Sequence, residues 1–133
     1  MRYRRLGDGD LQISEISLGS WLTYGGGVGD SGKYRPGEPP PEGSRATHAR
    51  MGRMMGRWLT DDVLEQANRL APIAERLGIS LPQLALAWIL REPNVASAIV
   101  GATRPEQVRE NASASGIELD SATLAEIEKA VGR

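Results

Sequence analysis

The sequence predicts a helix-rich α/β fold, and three observations carry that reading. Residues 58–133 repeat apolar side chains at helical spacing between clear helix start and stop signals. Inside that block the run Ser97-Ala98-Ile99-Val100 is short, apolar and bounded by turn residues, so it reads as a buried strand that passes through Gly101 into another helix. Residues 1–24 alternate apolar and polar residues around a Gly-Asp-Gly turn, the pattern of short strands. Helix, strand, glycine and helix in succession make a βα unit, which builds parallel sheets with helices outside.

Taken in order, Tyr3 to Leu6 is the first strand, Gly7-Asp8-Gly9 the turn, Leu11 and Ile13 a second strand, and Ile16-Ser17-Leu18 a third that ends at Gly19. Residues 25–57 have no apolar period and are dense in Gly and Pro, with GGGVGDSG, RPGEPPPEG and then Arg50, Arg53 and Arg57 among methionines, so they form a long loop. The first helix opens at Thr60 as N-cap, with Leu59 and Leu64 as a hydrophobic staple, and closes at Gly78; Pro72 is expected to kink or split it. Ser80-Leu81-Pro82-Gln83 is a capping box for a second helix that buries Leu84, Ala87 and Trp88 and stops before Pro93. Thr103-Arg104-Pro105-Glu106 reads as another capping box, opening a helix through Val108 to about Ala114, and a last helix from Asp120 carries Leu124, Ile127 and Val131 on one face. Three regions result: 1–24, strands; 25–57, loop; 58–133, helices with one βα unit.

Composition narrows the function classes. The 133 residues include no cysteine, which excludes a disulfide framework and a thiolate metal site; a single histidine, His48, makes a His-based zinc site hard to build, and with no phenylalanine the core is expected to be aliphatic. A net charge of -1 argues against a nucleic-acid partner, because phosphate binding needs a concentrated basic excess. The basic N-terminus leads into no apolar stretch long enough for a signal peptide or a membrane span, and a cytoplasmic protein with no membrane contact is the expectation.

The segment Ile99 to Gln107 is the most informative for chemistry. A strand that ends in glycine and turns into a helix aims backbone N–H groups and the positive end of the helix dipole at one place, and Arg104 adds a guanidinium able to grip phosphate. By itself this is either an ordinary capped helix or an anion site. The stretch AIVGATRPEQVREN at 98–111 resembles the last strand-and-helix unit of the aldo-keto reductases, whose fold is a TIM barrel. The resemblance implies NADP(H) as cofactor, with Gly101, Thr103, Arg104, Gln107, Glu110 and Asn111 around its adenosine half. Thr103 and Arg104 would hold the 2′-phosphate, and Gln107, Glu110 and Asn111 would contact ribose and adenine.

Two further segments resemble the same family. RYRRLGDGDLQISEISLGSW is similar to its N-terminal hairpin and first barrel strand; Gly19, Ser20 and Trp21 match the strand-end residues beside the nicotinamide in the branch related to potassium-channel β-subunits. A strand-end Trp is otherwise a core or interface residue. SGKYRPGEPPPEGSRAT at 31–47 resembles the loop that folds over the pyrophosphate, which would make Lys33 and Arg45 phosphate contacts; without the family, two basic residues in such a loop are simply solvated. Residues 58–131 then follow the C-terminal helices and eighth strand in order, and the two matching blocks meet near Val28 to Ser31, inside the Gly/Pro-rich loop.

A barrel of eight strands and eight helices needs about 250 residues. The resemblance therefore implies a partial TIM-barrel remnant, the first and eighth strands plus the C-terminal helices, and not a closed barrel. The family's Asp, Tyr, Lys and His tetrad belongs to the missing section. Asp30, Tyr24 or Tyr34, Lys33 and His48 supply the same residue types, but a Gly/Pro loop does not hold the geometry that proton donation requires, and none has the family's flanking residues. No catalytic residue and no metal ligand is assigned, and the chain alone is expected to be inactive. The remnant strands, neighbours in a closed barrel, are expected to pair and to leave open edges, through which a second copy or another chain would associate. The expected function is thus a shortened aldo-keto reductase with residual or vestigial NADP(H)-binding elements. The alternatives are a non-catalytic interaction module and a deletion product without function.

Overall fold

The computed structural model describes residues 1–19, 34–40, 42, 44, 46–47, 52, 56, 59–102 and 104–132. Among them the elements run β1 (Tyr3–Arg5), β2 (Gln12–Ser14), β3 (Ile16–Leu18), α1 (Asp61–Arg76), α2 (Leu81–Leu90), β4 (Ala98–Val100), α3 (Pro105–Ala112) and α4 (Ser121–Ala130). The strands form two two-stranded sheets, and no closed barrel is present among these residues.

β1 and β2 are an antiparallel hairpin with Arg4 opposite Ile13. Gly7, at φ 61, takes the left-handed conformation that the turn demands, and the Leu6 N–H closes it onto the Leu11 carbonyl at 2.8 Å. β3 and β4, some eighty residues apart along the chain, pair in parallel with Ile16 opposite Ala98, Ser17 opposite Ile99 and Leu18 opposite Val100. The ladder continues past both ends: Ala98 N–H donates to Glu15 and Gly19 N–H donates to Val100, each at 2.8 Å. Ile16 and Ala98 are buried on one face, whereas Ile99 points the other way and is 76% exposed. The expectation of a fully buried strand at 97–100 is therefore corrected. Among the described residues, helices cover only one face of this two-stranded sheet, so strand alternation sends Ile99 outward.

Helix ends follow local chemistry closely. Thr60 accepts from Val63 N–H to start α1, and at its other end Gly78 N–H donates to Glu75 and Ile79 N–H to Ala74, with Gly78 at φ 66. This is the Schellman pattern. Pro72 does not split α1, which runs sixteen residues through it. The proline faces solvent, while Ile73 and Ala74, the next two residues, are buried, and that packing outweighs one lost backbone hydrogen bond. Ser80 and Gln83 form the reciprocal capping box at the start of α2. Asp120 accepts from Thr123 N–H at 2.7 Å to start α4. At α3 the expected capping box is displaced: the N-cap is Arg104, extended at φ -140 and without a side-chain cap bond. Pro105 causes the shift, because proline suits the first helical position and forces the residue before it into an extended conformation.

α2 lies between two apolar clusters, which is why it is apolar nearly all round. Leu86 and Leu90 pack with Ile16, Ala98 and Ala114. Leu84 faces Ile73, Ala74 and Ile127 of α1 and α4, with Trp88 half-buried at the margin. Arg76 of α1 pairs with Glu126 of α4 at 2.6 Å. The N-terminal hairpin is fastened to this block by Arg4. Its Nε donates to Glu15 at 2.7 Å, while its terminal nitrogens donate to the carbonyls of Leu90 and Val95 at 2.6 and 2.9 Å, capping the end of α2. No single helix among the described residues is long and apolar enough to cross a membrane; α1 and α2 together pass by length and composition only, and are bent 92° from each other.

Candidate functional site

Because β3 and β4 are parallel and in register, their carboxyl ends lie side by side, and the chain leaves them through Gly19 and Gly101. In parallel α/β structures this is where ligands collect. Gly19 sits close against the neighbouring strand: a Cβ on it would stand 2.7 Å from Ile99 Cγ2. From Gly101 the chain turns at Arg104 into α3, whose eight residues direct the positive end of their dipole toward the same strand ends.

α3 presents two different sides. Gln107, Glu110 and Asn111 fall at i, i+3 and i+4 and are half-buried. Gln83 Nε2 of α2 donates to the Glu110 carbonyl at 3.2 Å, so this side also packs against the helix next to it. Around the helix from it, Arg104, Pro105, Val108 and Arg109 line a shallow open hollow of about 430 Å³ together with Ala102. Arg104, exposed at the N-cap, stands between the two sides.

Of the eleven residues expected at a cofactor site, the structure thus brings Gly19, Gly101, Arg104, Gln107, Glu110 and Asn111 to the β4–α3 junction and the strand end beside it. Ser20, Trp21, Lys33, Arg45 and Thr103 lie outside the described residues, as do Tyr24, Asp30 and His48. Tyr34 is described, and its hydroxyl accepts from Ala46 N–H within the loop. No group of three or more metal-ligating side chains occurs among the described residues.

The groups whose acidity is shifted stand elsewhere. Burial pushes the Glu15 carboxyl up, but hydrogen bonds from Arg4 and Ser115 and the charges of Arg4 and Arg2 outweigh it and hold the pKa below the ordinary 4.5. This carboxylate sits at the opposite end of the strand pair, with one oxygen on Arg4 and the other accepting from Ser115 at 2.9 Å. Asp120 is lowered by its hydrogen bonds from Thr123 at the start of α4. Neither is a residue that sequence reading had singled out for chemistry.

Comparison with known proteins joins these pieces. The aldo/keto reductase family profile matches residues 14–131, a span that includes both β3 and the β4–α3 junction. The chain belongs to the aldo/keto reductase family. A probable voltage-gated potassium channel subunit beta of Arabidopsis thaliana is 43% identical over 99 residues, and one of Oryza sativa subsp. japonica is 42% identical over 99 residues. Each alignment covers 74% of this chain and 30% of the relative, so the chain spans under a third of the length of the curated relatives it matches. The aldo/keto reductase profile thus falls on an α/β chain with small sheets and no closed barrel among the described residues.

Proposed function

We propose that this chain is an internally shortened aldo/keto reductase that keeps the adenosine side of an NADP(H) site and has no reductase activity of its own. The observation that carries the reading is the parallel pairing of β3 with β4, which sets Gly19 beside the junction from Gly101 to Asn111 as neighbouring first and eighth barrel strands would. On this reading the segment between them was lost near Val28 to Ser31.

The residues present fit one half of the cofactor. An exposed guanidinium at a helix N-cap, a glycine at the strand end and two amide side chains along the adjoining face of α3 suit a phosphorylated adenosine. Arg104, with Thr103, would hold the 2′-phosphate, and Gln107, Glu110 and Asn111 would orient ribose and base. Lys33 and Arg45 would meet the pyrophosphate, and Gly19, Ser20 and Trp21 would border the nicotinamide. NADPH, when bound, supplies a hydride for carbonyl reduction; no Tyr and Lys among the described residues are held in the geometry that protonates the carbonyl oxygen, so binding without turnover is the expected behaviour.

Titrating purified chain with NADPH, followed by thermal shift and by cofactor fluorescence, tests the site; absence of both responses at millimolar cofactor sinks the binding claim. Carbonyl-dependent NADPH oxidation that co-purifies with the chain sinks the inactivity claim. A second reading, association with a copy of itself or another chain, is favoured by the outward Ile99 and by Leu18, 50% exposed at the end of β3. Sedimentation showing a clean monomer with a cooperative melt counts against it.

A further inference from the structure

The cavity under the hairpin, about 360 Å³, is built around a buried carboxylate: Glu15 stands in its wall with a side chain 3% exposed. One Glu15 oxygen accepts from Arg4 Nε at 2.7 Å and the other from Ser115 Oγ at 2.9 Å. Beside it stand the carbonyls of Leu90, Glu92 and Val95, at the end of α2 and in the turn after it. A helix leaves its last carbonyls without intrahelical partners and carries the negative end of its dipole there. The Arg4 guanidinium fills this cup with all three nitrogens, Nε on Glu15, Nη2 on Leu90 at 2.6 Å, and Nη1 on Val95 at 2.9 Å and Glu92 at 3.3 Å. A planar fork suits such a set of acceptors, whereas an ammonium group is a point charge. The two other arginines of the cavity are held elsewhere, Arg2 on Glu118 at 2.9 Å, and Arg91 on Glu92 and over the Trp88 ring at 4.0 Å.

What Arg4 fastens has little hold of its own. No residue from 1 to 14 is buried, and Tyr3, Leu6 and Leu11 are exposed. A two-stranded hairpin by itself is marginal in water, so β1 and β2 depend on their attachment to the helices. Arg2 adds its N–H on Ser115 Oγ at 2.6 Å and its exposed ion pair with Glu118, which water screens. We propose that Glu15 and the carbonyls of Leu90, Glu92 and Val95 form a guanidinium receptor, and that the β1–β2 hairpin is a strap that opens as a unit when Arg4 leaves it. Opening takes Arg2 and Arg4 out of the cavity wall and uncovers Ala87, Leu90 and Ile117 behind them. It exposes little surface, because no residue of the strap is buried, so the helical block stays folded. The receptor lies at the amino ends of β3 and β4, away from the cofactor residues, and does not depend on them.

Amide hydrogen exchange on the full chain, as wild type, Arg4→Ala and Arg4→Lys, tests both halves. In Arg4→Ala the amides of residues 3–14 are expected to exchange about tenfold faster or more, since even one charge-assisted hydrogen bond is worth that factor, while α1 and α4 keep their protection. Arg4→Lys keeps the charge and loses the fork, and is expected to resemble Arg4→Ala. Millimolar ethylguanidinium added to Arg4→Ala is expected to shift the Glu15 and Ser115 amide resonances saturably and to slow hairpin exchange; ethylammonium is expected to do neither. Protection lost from α1 and α4 together with the hairpin overturns the strap. Equal responses to the two cations, or wild-type protection in Arg4→Lys, overturn the guanidinium receptor. Should Arg4→Ala not fold, Arg4→Lys still tests the receptor and wild type tests the strap. Wild-type hairpin amides should exchange at a rate that low urea leaves unchanged, the mark of an opening that exposes little surface. Hairpin amides that follow the helix amides at every urea concentration overturn the strap.

Discussion

The two ends of the β3–β4 pair are built on opposite plans. At the amino ends a carboxylate 3% exposed, Glu15, is locked between Arg4 and Ser115, and Arg4 also closes the carbonyl end of α2. At the carboxyl ends there are two glycines, an exposed arginine and a helix start without a side-chain cap. One end holds its charges inside the protein; the other carries an arginine exposed at a helix start. Division of this kind is usual in barrel enzymes, whose lower face serves stability and whose upper face serves chemistry. Here a buried charge cluster and an exposed strand-to-helix junction stand at the two ends of one parallel strand pair among the described residues.

The comparison breaks first at the buried end. Glu15→Ala leaves Arg4 without its main charge partner and is expected to cost about 3 kcal/mol, the usual penalty for removing half of a buried pair. Chemical denaturation should show the loss as a lower midpoint with an unchanged slope. A smaller loss of the same origin should follow pH. Glu15 has its pKa lowered on folding, so the unfolded chain takes up the proton first as pH falls. Its contribution is therefore complete above the ordinary 4.5 and disappears as pH drops through the lower folded value. Melting temperatures of wild type and Glu15→Gln measured between pH 7 and pH 3 should converge on the acid side; parallel curves would remove Glu15 from the account. Nucleotide binding at neutral pH, by contrast, should be the same in Glu15→Gln and wild type, since the carboxylate lies at the far end.

What could be read in the sequence was local. The hairpin around Gly7, the caps at Thr60, Ser80 and Asp120 and the stop at Gly78 each depend on a few consecutive residues, and the structure has them where the residue types put them. What was not legible depends on distant partners. Ile99 looked like core because its run is apolar, yet its burial is decided by whether anything covers the second face of the sheet. The helix through Pro72 survives because of Ile73 and Ala74 packing against α2 and α4, which no window around the proline reveals. Arg4 and Glu15 are eleven residues apart in a hairpin of ordinary polar composition, and their common engagement with Leu90, Val95 and Ser115 appears only in three dimensions. At the candidate site, the resemblance supplied Gln107, Glu110 and Asn111, and helical spacing then explains why they share a side.

The smallest predicted effect is also the one that separates packing from binding at the open end. Gly19→Ala places a Cβ against Ile99 Cγ2 and within 3.7 Å of the Val100 carbonyl. Overpacking of this size costs about 1 kcal/mol, and Ile99, being mostly exposed, has solvent into which to turn. Ile99→Ala removes the clashing methyl, so the double variant should regain the stability that Gly19→Ala loses, as a positive coupling in a double-mutant cycle. If glycine is there only to let the strands meet, the double variant should also bind NADPH as wild type does. If the backbone at Gly19 must instead admit the cofactor, stability will recover in the double variant while NADPH affinity stays low, because the added methyl group remains at the strand end.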